Sequence, residues 1–309
     1  MKFIYDSTNK LDAGENAFLR RELESVAVEV HETEYPQLKA RSLIPVSHAT
    51  NTGAEMETWQ TQDGVGKSAI AKGYSGKAPR VDVALTDESQ RIVGLVDSYG
   101  YSFQEARNGA LVGRSLEAQR ALVAREVIET DLDSLMLLGN SAEGMDGLFN
   151  LASALTYAVP NGTVSAAPEW EGKLSSEILI DLNAMVSQIR LNSKGIEAPN
   201  VLALPISSMA LISERSAGNN TDTTILKYFL ANNGFIKEVV DSHYLEDIGG
   251  AKRACAFSRD KTRLEASVPQ EFEQFAPQHE SFETVINCHA RYGGLKVYRP
   301  KSVILASNI

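Results

Sequence analysis

Gly64-Val65-Gly66-Lys67-Ser68 is the stretch of this 309-residue chain whose residue types come nearest to a chemical device. A loop ending in Gly-Lys-Ser can cradle nucleotide phosphates with its backbone amides and lysine. The full spacing needs a glycine five residues before Gly66, and Thr61 stands there. The preceding run, Glu57-Thr58-Trp59-Gln60-Thr61-Gln62-Asp63, is too polar for the buried strand that such a loop leaves. Gly73 and Gly76 interrupt the helix it should open. A polar loop is the better reading, and a nucleotide-binding enzyme using Gly66-Lys67-Ser68 is the weakest of three functional alternatives.

Other chemistries assemble no better. The five histidines, His31, His48, His243, His279 and His289, form no helical i, i+4 ligand pair, and there is no Cys-x-x-Cys. Cys288 and His289 are neighbours on an expected strand, so they point to opposite faces, which favours a core cysteine beside an exposed histidine. Gly73-Tyr74-Ser75-Gly76 lacks the spacing of a nucleophile elbow. Asp131 and Asp133, two apart on a helix, face different ways and are expected to be solvated or ion-paired. Asn161-Gly162-Thr163 reads as a turn rather than a glycosylated sequon. No catalytic residue, cofactor site or metal site is expected, and the chain is not read as an enzyme.

The elements that would position any site come next. With 43% hydrophobic residues the chain can build a substantial core. Forty acidic against 30 basic residues give a net charge of -10, a poor balance for sequence-specific reading of DNA. Two cysteines provide no disulfide framework, and the sequence carries neither an export-signal pattern nor an apolar run of bilayer length, so an intracellular, non-membrane protein is expected.

Phe18, Leu19, Leu23 and Val26 place a helix over Asp12 to His31. Short β-like runs follow at Ala54 to Thr61, Val81 to Leu85 and Ile92 to Val96, joined by a glycine-punctuated polar stretch that cannot pack on a core of its own. Ser102-Phe103-Gln104-Glu105 fits a capping box. From Ser115 a long helix runs through Leu138, with Ala118, Ala121, Ala124, Ile128, Leu132 and Leu135 on one stripe, and Gly139 ends it. Beyond Leu151 helices (Leu174 to Leu191, Thr224 to Ala231) alternate with strands (Val201 to Leu204, broken by Pro205, and Phe235 to Val240). The remainder is mostly β: Thr262 to Val268, Val285 to Tyr292, a Gly293-Gly294 turn, Leu295 to Tyr298, and Val303 to Ala306.

This order resembles the major capsid proteins of tailed bacteriophages, the Hong Kong 97-type fold shared with encapsulin shells. The residues that carry it are Tyr101-Ser102-Phe103-Gln104-Glu105, Ala124-Arg125-Glu126-Val127-Ile128-Glu129, Gly144 with Gly147-Leu148-Phe149-Asn150, and Arg291-Tyr292-Gly293-Gly294-Leu295-Lys296-Val297-Tyr298-Arg299-Pro300. The resemblance implies an α+β fold with an N-terminal arm (1–40), an extended β-hairpin loop (41–95), a peripheral domain with a spine helix (96–150 and 285–309) and an axial α/β domain (151–284). It implies a viral structural protein that self-assembles as hexamers and pentamers, through a procapsid, into an icosahedral virion head around double-stranded DNA. An encapsulin-like compartment is the alternative.

Further implications are a separate scaffolding protein, because only about forty residues precede the loop, then a portal, a candidate decoration protein, no membrane, and assembly in the host cytoplasm. Packaged DNA would be held without sequence-specific binding. Axial-domain loops near Leu211 to Asp222 would close around the symmetry axes. The expected intersubunit contacts are Trp59, Gly64, Gly66, Lys67, Tyr74 and Lys77. Some relatives crosslink a loop lysine to an asparagine of a neighbour. Lys67, Lys72 and Lys77 are available, but no acceptor or acid matches, so no crosslink is assigned.

Overall fold

The structure, a computed structural model, describes residues 36–68, 70, 80–112, 116–218 and 222–309. The helix expected over Asp12 to His31 lies outside these residues. A short helix, α1 (Ala40–Leu43), and a two-residue strand, β1 (Val46–Ser47), lead into three ten-residue strands: β2 (Met56–Val65), β3 (Asp82–Arg91) and β4 (Val93–Ser102). These are longer than the runs legible in the sequence, because cross-strand hydrogen bonds carry the pairing through polar stretches. β2 and β3 pair with each other from Met56 opposite Arg91 to Val65 opposite Asp82.

The capping box forms as expected. The Glu105 amide donates to Ser102 Oγ at 3.2 Å and the Ser102 amide to Glu105 Oε2 at 3.0 Å, starting α2 (Phe103–Val112). The long helix α3 (Leu116–Leu137) has 22 residues, roughly 33 Å at 1.5 Å per residue. Ala124, Ile128, Leu132 and Met136 are buried, but Ala118 is exposed and Ala121 half-buried, so the apolar stripe runs past the stretch that the sheet covers. Asp133 also departs from expectation. It is 4% exposed rather than solvated, because its carboxylate accepts the orphan amide of Ala40 at the start of α1. Gly139 leaves the helix at φ 75°, and β5 (Gly139–Asn140) pairs with β6 (Met145–Asp146).

Then follow β7 (Leu155–Ala158), α4 (Ser175–Asn192), β8 (Val201–Pro205), α5 (Ile206–Glu214), α6 (Ile225–Asn232), β9 (Glu238–Ser242), β10 (Arg253–Phe257), β11 (Leu264–Ser267), β12 (Gln270–Gln274), β13 (Gln278–Glu280), β14 (Glu283–Tyr292), β15 (Leu295–Val297) and β16 (Val303–Ser307). Pro205 ends its strand as expected, as the last residue of β8, and stands at the N-cap position of α5, a helix the sequence pattern did not reveal. The turn at Gly162 is real: its amide donates to Ala167 O at 2.9 Å, and a Cβ there would lie 2.6 Å from Glu177 Oε2.

Two larger sheets organise the body. In one, β14 pairs along its whole length with β4 and, on its other edge, with β12 and β13. Ile286, Cys288, Ala290 and Tyr292 are its buried face, as the alternation predicts. The other sheet has the order β7-β16-β10-β8-β9. Its central strands are apolar on both sides: Ala203, Cys255 and Leu305 join the core under α3, while Leu202, Ala256 and Ile304 join the core under α4. Residues 303–307 therefore sit within the sheet of the 151–284 segment rather than beside β4 and β14. The reason is the parallel pairing of β16 with β7.

Candidate assembly arm

β2 and β3 are the one pair of long strands, among the described residues, whose edges meet no third strand. Along β2 only Glu57, Trp59 and Thr61 are half-buried, and from Gln62 onward every residue is exposed; in β3 only Gln90 is not exposed. Met56, Val65, Val83 and Leu85 are each more than half exposed. A two-stranded ribbon has no face of its own to bury, so it stays extended only by its ladder and by what holds its base. The stem carries Asp63, Asp82, Asp87 and Glu88, and Lys67 and Arg80 stand toward its open end.

The base is held by the segment that starts at Arg291. The Arg291 guanidinium donates to the carbonyls of Thr52 and Ala54. Glu57 Oε1 accepts from Lys296 Nζ and from Thr50 Oγ1 at 2.6 Å, and Glu57 Oε2 accepts from Ser267 Oγ at 2.6 Å. Lys296 lies opposite Glu265 in the β11–β15 pair, its Nζ 3.7 Å from Glu265 Oε1. Burial alone would raise the Glu57 pKa, but the hydrogen bonds from Lys296, Ser267 and Thr50 outweigh it and hold the carboxyl below its ordinary range. The Trp59 ring meets Tyr298 edge to face at 6.4 Å, above a cleft of about 410 Å³ shared with Leu151, Leu295, Val297 and Pro300. Gly294, at φ 86°, lets the ribbon approach: a Cβ there would meet Gln90 Cγ at 2.6 Å.

Trp59 therefore packs on its own chain at the base of the arm. Gly64 lies in the exposed part of β2, and Gly66 and Lys67 follow it as irregular, exposed chain. Lys67 and Ser68 do not form the first turn of a helix, as a phosphate loop requires. Tyr74 and Lys77 lie outside the described residues, as does Lys72. Glu57, Ser267 and Lys296 were not singled out from the sequence. The available signal was a lysine flanked by Leu295 and Val297 directly after Gly293-Gly294, in a strand buried throughout. Among the described residues no three His, Cys, Asp or Glu side chains converge as a metal site, and no helix is long and apolar enough to cross a membrane.

A projecting ribbon, a long helix laid on a β4–β14 sheet and a second layered α/β sheet together make up a fold of the Hong Kong 97 type. The chain belongs to the major capsid protein family, whose profile matches residues 66–309. Its fold is similar to that in the capsid of Myoviridae phage XM1 (TM-score 0.84, 14% identity, 96% of this chain and 100% of that one). It is also similar to a chain of Mycobacterium phage Ogopogo (0.63, 11%, 95% and 100%). A virus-like particle from Pyrococcus furiosus is a further likeness (0.55, 13%, 86% and 90%). No curated protein sequence is similar enough to count as a relative. The protein is a structural component of a capsid shell.

Proposed function

We propose that this capsid protein assembles as hexamers and pentamers into an icosahedral head that encloses double-stranded DNA, with the β2–β3 arm laid over a neighbouring copy. The observation that carries this reading is the arm itself. It is a ten-residue ribbon with exposed Val65, Val83 and Leu85 that its own body leaves uncovered, and a second subunit would complete it. Gly64, Gly66, Lys67, Tyr74 and Lys77 are the residues assigned to that contact. The segments 41–95, 96–150 and 151–284 serve as loop, peripheral domain and axial domain, with β16 joining the axial sheet. The acidic balance suits a wall that holds DNA without gripping it by sequence.

Scaffolding, portal and decoration proteins are the partners this role calls for, and assembly belongs in the host cytoplasm. The test is expression of the chain with and without its neighbouring viral genes, followed by electron microscopy and nuclease protection. Closed shells that protect DNA when the packaging genes are present support the reading. Shells that instead retain a co-expressed cargo enzyme favour the encapsulin-like alternative, and a monomer that binds ATP through Lys67 would overturn both.

A further inference from the structure

The body meets the base of the arm at an exposed ion pair, Arg91 of β3 with Glu143, at the Arg291 guanidinium, and at one largely covered charged point. Glu57 is the carboxylate of β2 that turns inward, and each of its oxygens is satisfied from the body: Oε1 by Lys296 and Oε2 by Ser267. Lys296 is 5% exposed and stands between two carboxylates, one from the arm and one, Glu265, from the body. Beyond Thr61 the arm makes no burying contact with its own body among the described residues. From Glu57 to Val65 it extends roughly 27 Å at about 3.4 Å per residue, so a turn of about 10° at the base moves the open end by roughly 5 Å. That displacement is enough to take the arm off a specific surface.

We propose that Lys296 is a positioning residue for assembly: by clamping Glu57 against Glu265 it fixes the direction in which the β2–β3 arm leaves the body. This rests on the reading that the arm lies on a neighbouring copy. The asymmetry of the clamp matters. Removing Glu57 leaves Lys296 paired with Glu265, so the body keeps a neutral pair. Removing Lys296 leaves two half-buried carboxylates facing each other without their shared cation, which costs the body stability as well. Lys296→Arg keeps the charge and the double partnership.

The experiment uses the full chain carrying spin labels at Gly64→Cys on the arm and Glu126→Cys on the exposed side of α3; Cys255 and Cys288 are buried and stay unlabelled. Pulsed dipolar spectroscopy of unassembled protein reads the arm's direction, and electron microscopy of the unlabelled variants reads the shells. Glu57→Ala is expected to broaden the distance distribution about twofold, with the body's melting cooperativity kept, and to turn uniform shells into mixed diameters and open sheets. Lys296→Arg is expected to match the parent in both readouts. Lys296→Met repeats the test from the body side. An unchanged distance distribution in Glu57→Ala overturns the clamp, and a broadened one with uniform shells overturns its role in assembly. A parent chain that forms no shell defeats the reading of the arm, while the spectroscopy still decides the clamp.

Discussion

The Ala40 amide donates a 2.7 Å hydrogen bond to Asp133 Oδ1, so a residue in the buried half of α3 caps a helix 93 positions earlier in the chain. Asp133 Oδ2 has no partner, and burial raises the Asp133 pKa despite the amides it faces.

Asp133→Ala should therefore lower stability by about 1 kcal/mol, the usual loss of a helix-capping acceptor. Asp133→Asn keeps an acceptor for Ala40 and removes a poorly solvated charge, so its melting temperature should lie nearer the parent's. The sign with pH follows from the raised value. The contribution of the protonated group is complete below the ordinary aspartate range and is lost as pH rises through the folded value. A stability difference between parent and Asp133→Asn that does not change across that window would contradict this account.

Glu57 behaves in the opposite sense. Its folded pKa is depressed, so its contribution to anchoring the arm is complete above the ordinary glutamate range and disappears as pH falls through the folded value. Amide exchange in residues 56–61, corrected for intrinsic rates, should accelerate relative to the body across that acid window. In Glu57→Gln the acid-dependent part of that acceleration should be missing.

Gly139 and Gly147 pack backbone against backbone where α3 ends. A Cβ on Gly139 would lie 2.5 Å from the Gly147 amide nitrogen, and its φ of 75° disfavours any L side chain. Gly139→Ala should cost about 1–3 kcal/mol by overpacking, with the strained backbone adding to it. Gly144 also has positive φ, but nothing lies within 4 Å of its would-be Cβ. Gly144→Ala should therefore be the milder of the two in chemical denaturation.

Tyr292 is fully buried with a hydroxyl that finds no partner, and burial pushes its pKa up. Leaving such a group unsatisfied costs about 1–3 kcal/mol. Tyr292→Phe should hold or raise the melting temperature. A fall of several degrees would mean that the hydroxyl is satisfied after all.

Local grammar was readable where a short-range rule decides the outcome. Ser102 and Glu105 start α2, Gly139 stops α3, and the alternation of Ile286, Cys288, Ala290 and Tyr292 gives the buried face of β14. The long-range choices were not. Asp133 looks like any helix-surface acid until Ala40 is brought to it, and Lys296 like an ordinary strand lysine until Glu57 and Glu265 close on it. The polar sequence marked the arm, but it gave no sign that Trp59 would turn back onto Tyr298. A ring of that size follows whatever apolar surface the tertiary fold offers, here the Tyr298 ring beside a cleft lined by Leu295, Val297 and Pro300.

The place of β16 between β7 and β10 also has a meaning in time. Leu155 meets its partner Ile304 only after about 150 further residues have been made. At roughly 5–20 residues per second, synthesis keeps that sheet open for on the order of 10–30 s. Throughout that interval β7 waits for its partner, and over about the last fifty residues of it β10 presents an unpaired edge as well. The interval works as a built-in delay: until β16 has been made, the second layer lacks the strand that joins β7 to β10.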